Sequence, residues 1–299
     1  MKYPALALLL TASLTAATLS ACDKTDQTAE KSPTQTVASA SPAAPTAATP
    51  AATSTVANDL NAETQAYKKW VEGQIDQLLL ETEKFVGHLN AGNVAEAKKL
   101  YPLARMYFER SEPIAESFGD LDPRIDNREA DLEKGEAWTG FHAIEKILWT
   151  KNTTKGTEQL GKQLVNDIKE LRAKIPTADV SGELMVQGAV DLLNEVSTSK
   201  ITGEEEIFSR TDLYDFKANI EGAEKIFDIF KPKLQQKNPA LVADLSEKFK
   251  AVDDLLAQHK VGEHGYKPYN QLSKQDTKAL AEAVNKLGEP LAQMGIVLK

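Results

Sequence analysis

Cysteine is nearly absent from this chain of 299 residues: it occurs once, at position 22. A lone cysteine has no disulfide partner within the monomer and cannot build a thiolate metal site. Copper(I) and iron–sulfur chemistry, which rely on soft sulfur ligands, are therefore excluded. Positive charge is also scarce. The chain carries 35 Lys and Arg against 44 Asp and Glu, a net charge of −9. Phosphate backbones bind basic faces, so no nucleic-acid partner is expected. Beyond the N-terminal stretch there is no apolar run long enough to read as a transmembrane helix. Strand-like alternation between hairpin turns is missing too.

The N-terminal stretch reads as an export signal. Lys2 supplies the positive start, and Ala5 to Leu19 is a run of apolar and small residues. That run is too short and too rich in Ala and Thr to make a good span. It ends Leu19-Ser20-Ala21-Cys22, which resembles the bacterial lipobox, where the signal is cut before the cysteine and the thiol is lipidated. Residues 1–21 are thus expected to be a lipoprotein signal peptide, and Cys22 the lipidation site. From Asp23 to about Val56, Thr, Ala, Ser and Pro dominate. Such a composition buries too little apolar surface to offset its ordering entropy. Residues 22–57 therefore read as a lipidated cysteine followed by a disordered tether. The expected location is the periplasm, with the chain lipid-anchored to a bacterial membrane.

Residues 58–299 read as helical nearly throughout, an all-α fold. Val71, Ile75, Leu78, Leu79, Phe85, Val86 and Leu89 follow the helical period, in a helix that stops at Gly92-Asn93. A second helix is expected over 94–118, kinked or broken near Pro102 and Pro113. Residues 119–137 read as a long polar loop. Helices then follow over 138–149 and 156–174. The second half repeats the arrangement, with helices over 182–197, 211–230, 239–258 and 274–298. Eight helices in two sets of four predict two tandem four-helix bundles, roughly 58–178 and 179–299.

The chemistry concentrates in the run from Gly140 to Glu145. His142 and Glu145 stand three apart, so a helix points both from one face at a spacing that can hold one metal ion. Just upstream, a helix would align Arg105, Glu109, Glu112 and Glu116 beside Tyr101 and Phe108. Acids aligned this way repel unless they are solvated, paired with Arg105 or Arg110, or bound to a cation. The following loop adds Asp120, Asp122, Asp126, Glu129 and Asp131. Oxygen ligands with one imidazole suit a hard or borderline ion: iron in either common oxidation state, manganese or zinc.

The pattern Gly140-x-His142-x-x-Glu145 resembles the hallmark of the imelysin-like family. So do Arg105, Tyr107, Glu109, Arg110, Glu112 and Pro113, the Asp120-Leu121-Asp122-Pro123 turn, and Asp212-Leu213-Tyr214-Asp215-Phe216 with Asn219 and Gly222. The resemblance is strongest to the EfeO/EfeM branch of periplasmic iron-uptake components, in the short form without a cupredoxin domain. It implies a tandem-bundle fold and a metal site at His142 and Glu145, with Glu109 and Asp126 or Glu112 as acidic partners. Arg105 or Arg110 would orient those ligands.

The leading expectation is a lipid-anchored iron-binding protein that passes Fe(II) or Fe(III), or alternatively zinc or another divalent ion, to an inner-membrane permease. Two other classes compete. One is a metallopeptidase of the imelysin type. The zinc peptidases of helical type use His-Glu-x-x-His, whereas here His142 is followed by Ala143 and position 146 is Lys146. The other is a polymer- or surface-binding module, which a basic cleft would favour.

Overall fold

A computed structural model describes residues 60–263 and 265–299. The signal peptide, Cys22 and the tether lie outside these described residues. Among the described residues the fold is all-α but for one tiny hairpin. The helices are α1 (Asn61–Asn90), α2 (Val94–Glu109), α3 (Leu121–Asp126), α4 (Gly140–Lys151), α5 (Glu158–Lys174), α6 (Gly182–Thr198), α7 (Asp212–Lys237), α8 (Pro239–Ala257) and α9 (Lys274–Leu298).

Two four-helix groups form. Helix α1 packs on α2 and α5, and α4 closes the group against α2 and α5. Helices α6 to α9 make the second group, with α9 lying on α6 and α8, and α7 on α6 and α8. The apolar stripe read along α1 is the buried one: Val71, Ile75, Leu78 and Phe85 are fully inaccessible to solvent. Each group has an aromatic centre. In the first, Tyr101 meets Phe85, Phe141 and Trp149 edge-on. In the second, Phe227 stacks on Phe249 with ring centroids 5.6 Å apart. The groups join where α2 packs against α7 and where the 3₁₀ segment Glu112–Phe118 packs against α6.

The helix expected over 94–118, kinked or broken near Pro102 and Pro113, breaks only near the second. Pro102 stays inside α2 without ending it. The break comes before Pro113, at Arg110 and Ser111, and the chain resumes as the 3₁₀ segment, with Ile114 off helical dihedrals. A proline disfavours helical backbone in the residue before it and lacks the amide a continuing helix needs. Glu112 and Glu116 therefore leave the face that carries Arg105 and Glu109. The polar loop over 119–137 is not continuous either, since α3 and a short 3₁₀ turn, Glu129–Asp131, interrupt it. A two-residue ladder, β1 (Lys260–Val261) with β2 (Gly265–Tyr266), is the strand that the alternation pattern did not reveal. It is pinned to α7 by the Tyr266 amide, which donates to the Tyr214 hydroxyl at 3.2 Å.

The join between the groups depends on absent side chains. A β-carbon at Gly188 in α6 would lie 1.7 Å from the Pro113 carbonyl oxygen, closer than any real contact. Gly188→Ala is therefore expected to lower stability by about 1–3 kcal/mol through overpacking. Gly73, on the exposed side of α1 with nothing within 4 Å, is the control. There the same change should gain a few tenths to ~1 kcal/mol from helix propensity. Urea unfolding monitored by circular dichroism measures both, and equal effects at the two sites would sink the packing account.

Candidate metal centre

Charged side chains fill the seam between the two helix groups. The first group contributes Arg105 and Glu109 from α2, Asp126 from the end of α3, and His142 and Glu145 from α4. The second contributes Asp215 and Asn219 from α7. The segment linking α6 to α7, residues 199–211, straps across the seam and supplies Lys200, Glu205 and Glu206. Arg105, Glu109, Glu145, Glu206 and Asn219 are completely inaccessible to solvent.

Helix α4 is placed by its first residue. Gly140 has φ +84°, and a β-carbon there would lie 2.2 Å from the Ile125 carbonyl oxygen. Only glycine combines the left-handed backbone with so close an approach. The Thr139 hydroxyl, instead of capping α4, donates to the Arg124 carbonyl at 2.8 Å. The start of α4 is thus fastened to the last turn of α3, which sets His142 beside Asp126.

His142 is held on one side and open on the other. The strap amides of Phe208 and Ser209 donate to one Glu145 oxygen at 3.0 and 2.6 Å. The other Glu145 oxygen lies 3.2 Å from His142 Nδ1. Burial alone would raise the Glu145 carboxyl, but the His142 contact and the Ser209 amide outweigh it and hold the group below the ordinary carboxylate range. An ionised Glu145 can only accept, so Nδ1–H donates to it and Nε2 is the nitrogen turned toward the acids on the other side. That Nε2 is buried without a hydrogen-bond partner. Asp126 Oδ1 lies 3.6 Å from it and Glu205 Oε1 4.0 Å. Asp126, His142 and Glu205 each offer one ligand atom close enough to share an ion. A second such set, His142 with Glu145 and Glu206, lies on the Nδ1 side, deeper in the seam.

The carboxylates outnumber the cations. Arg105 pairs with Glu109 and Asp126, and its Nε lies 2.6 Å from Glu206 and 3.4 Å from Asp215. Lys200 Nζ lies 3.1 Å from Glu109 and 2.9 Å from Glu112. Glu109 would rise with burial, but Lys200 and Arg105 bring it well below its ordinary range. Four acids go the other way. Burial, added to by Glu145, raises Glu206 well above the carboxylate range, and burial outweighs Arg105 at Asp215. Asp126 is raised by burial despite Arg105. Glu112 is raised by burial despite Lys200. Buried carboxyls with too few counter-charges must hold protons or bind a cation.

The seam opens through a cleft of about 410 Å³ whose wall includes Glu112, Asp122, Asp126, Glu195 and Glu205. The Nε2 set therefore borders the route from solvent, and the Nδ1 set does not. At the rim Arg128 pairs with Asp131 at 2.7 Å and reaches Glu205 at 3.3 Å.

The structure thus gathers His142, Glu145, Glu109, Asp126 and Arg105 into one cluster, with Glu112 at its edge. Arg110 does not join them: it pairs with Glu221 at 2.6 Å and covers the Tyr107 ring. Arg110 keeps helical backbone, and the helical pitch places it on a different face of α2 from Arg105 and Glu109, away from the seam. Glu116 is exposed, and Asp120 and Glu129 go to Arg124 and Lys146. Sequence reasoning missed Lys200, Glu205 and Glu206. Their signal was the acidic run Glu204-Glu205-Glu206 in the long connection between two helices. Asp215 and Asn219 belonged to the noted Asp212–Gly222 pattern but had no assigned role.

The raised acids set the pH response of the metal-free protein. Asp122 is pushed up to about 7 by burial and Asp126, and Asp212 to about 6 by burial. An acid with a raised folded-state pKa keeps its proton in the native protein while the unfolded chain releases it. Its stabilising share is whole below about pH 4 and declines as pH rises toward 7. The melting temperature in chelator is therefore expected to be higher at about pH 5 than at about pH 7.5. Glu109 and Glu145, held low, weaken the protein only in stronger acid. A melting temperature that stays level or climbs across that interval would contradict the buried-proton account.

Comparison with known proteins gives three findings. The family model described as Imelysin, whose name marks it as a peptidase family, matches residues 63–294. An EfeM/EfeO family lipoprotein of Staphylococcus haemolyticus is 54% identical over 242 residues, covering 80% of this chain and 84% of that protein. One of Staphylococcus aureus is 52% identical over 246 residues, covering 81% and 87%. The crystal structure of a putative iron-regulated protein A precursor from Parabacteroides distasonis superposes with a TM-score of 0.66. It covers 82% of this chain and 97% of that one at 15% identity, a likeness of fold.

Proposed function

The chain belongs to the imelysin family, on its EfeM/EfeO branch, and we propose on that footing that it is a lipid-anchored envelope protein that captures iron for uptake. The observation that carries this reading is the buried His142 Nε2, without a hydrogen-bond partner, between Asp126 and Glu205. One imidazole with carboxylate oxygens suits Fe(II) or Fe(III), and zinc or another divalent ion fits the same donors. Iron here is cargo. The acidic wall of the cleft concentrates cations at its mouth. A bound cation also supplies the counter-charge that the buried carboxylates lack.

Each residue has a part in this reading. His142, Asp126 and Glu205 ligate. Glu145, fixed by the strap amides, fixes the imidazole in turn, as carboxylate partners of metal-bound histidines do. Glu109 and Glu112 are the next oxygen donors, and Arg105 orients Asp126 and Glu109. Arg110 has no part at the ion. The bundles, roughly 58–178 and 179–299, act as two jaws, since neither holds the ligand set alone. Lipidation at Cys22 and a tether over 23–57 would keep the jaws near the membrane, on its periplasmic side, within reach of an inner-membrane iron permease. A peptidase reading gains no support from the geometry. Lys146, where a helical zinc peptidase has its second histidine, turns outward to Glu129.

The test is thermal. Saturating iron or zinc is expected to raise the melting temperature, because a ligand that binds only the folded state stabilises it by mass action, about 2.7 kcal/mol at a hundredfold excess over Kd. His142→Ala combined with Asp126→Asn should abolish that shift, and Arg110→Ala should keep it. A full shift in the double variant would reject this site.

A further inference from the structure

The carboxylates beside the proposed ion already hold a cation belonging to the protein. Lys200 Nζ lies 2.9 Å from both Glu112 oxygens, 3.1 Å from Glu109 Oε2 and 3.5 Å from Glu205 Oε1. The side chain is 3% exposed. Three carboxylates on three different segments thus converge on one nitrogen, which is how hard oxygen donors would surround an ion.

The two buried cations are built differently. Arg105 stands in the middle of α2, and its planar fork is matched to several carboxylates at once. It is part of the scaffold. Lys200 is a point charge on a flexible stem. It begins the strap, on the short 3₁₀ turn Lys200–Thr202, which ends at Gly203 with φ +78°. Beyond it lies the cleft, where the exposed Asp191 and the half-buried Glu195 give a displaced ammonium acids to meet.

Glu205 is the shared element. One of its oxygens, Oε1, is 3.5 Å from Lys200 Nζ and 4.0 Å from His142 Nε2. An ion seated by His142, Asp126 and Glu205 competes with the ammonium for that oxygen and is repelled by its charge across a few ångströms of low-dielectric interior. Asn219 donates to both Glu109 and Glu112, and Arg105 pairs with Glu109, but Lys200 is the charge the two share, and it must leave before they can turn to the ion.

Resting on the capture reading above, we infer that Lys200 is a tethered cation that fills the carboxylate site in the ion-free protein and swings into the cleft when cargo binds. It stands in for the absent charge and lowers the affinity for the ion, so that the ion can be given up again. The strap that carries Lys200 also carries Glu205 and the amides that hold Glu145, so the exchange is felt along the whole strap.

The experiment is a zinc titration of the purified protein against a chromogenic chelator, zinc being a redox-silent probe. Lys200→Met removes the charge and keeps most of the volume. It is expected to bind zinc about tenfold tighter or more, while its ion-free melting temperature falls because Glu112 loses its counter-charge and Glu109 keeps only Arg105. Lys200→Arg keeps the charge and should gain nothing. Equal or weaker zinc binding by Lys200→Met overturns the inference and leaves Lys200 a structural ion pair. If that variant does not fold, the wild type decides. Amine acylation of Lys200, followed by mass spectrometry, should be slow without zinc and several-fold faster at saturation. Unchanged protection overturns the inference. A wild type that binds zinc while both readouts fail leaves the capture reading standing; a wild type that binds neither zinc nor iron overturns both.

Discussion

Buried negative charge governs this protein. Glu109, Glu145, Glu205, Glu206 and Asp215 are packed into the seam between two helix groups, with Asp126 and Glu112 at its edge. Each ionised carboxyl taken from water costs several kcal/mol unless a counter-charge is close. Arg105 and Lys200 supply part of it, and protons on the raised acids supply more. An apolar seam would be simpler to fold. A seam with surplus carboxylates, an unpartnered imidazole nitrogen and an opening to solvent is what the proposed cation site rests on.

The scaffold serves that seam by fixing directions rather than by adding bulk. Gly140 lets α4 start against the end of α3, and this puts His142 beside Asp126. The break before Pro113 turns the chain so that Glu112 meets Lys200 from outside the line of α2. The strap over 199–211 then closes the far side, carrying two acids, one ammonium and two amides into the same space. Its backbone bonds to Glu145 tie the imidazole of the first group to the loop of the second. A shift of one group against the other would therefore alter the geometry around the imidazole directly.

Much of this was legible in the residues. The apolar period in α1 and the stop at Gly92-Asn93 are local signals, and local physics set that element. His142 and Glu145 were legible because a helix of known pitch fixes their relation. The break near Pro113 was legible, but not the direction in which Glu112 leaves it, which depends on what the turn packs against. Arg110 keeps helical backbone, and five residues on from Arg105 the helical pitch alone points it away from the seam. Glu205 and Glu206 were visible as an acidic run, but nothing local says that a polar connection folds inward. Charge at that density reads as solvated until the partner cations, one of them 100 residues earlier in the chain, are in place.

The sequence by itself determined the helical class, the number and approximate limits of the long helices, and the paired His142 and Glu145, because each depends on spacing within one segment. Tertiary structure alone decided which ring nitrogen is free, which acids face it, and that two cations of the protein already sit among them. Those outcomes depend on distances between segments far apart in the chain, and on burial, which turns an ordinary acidic residue into a group that must find a charge.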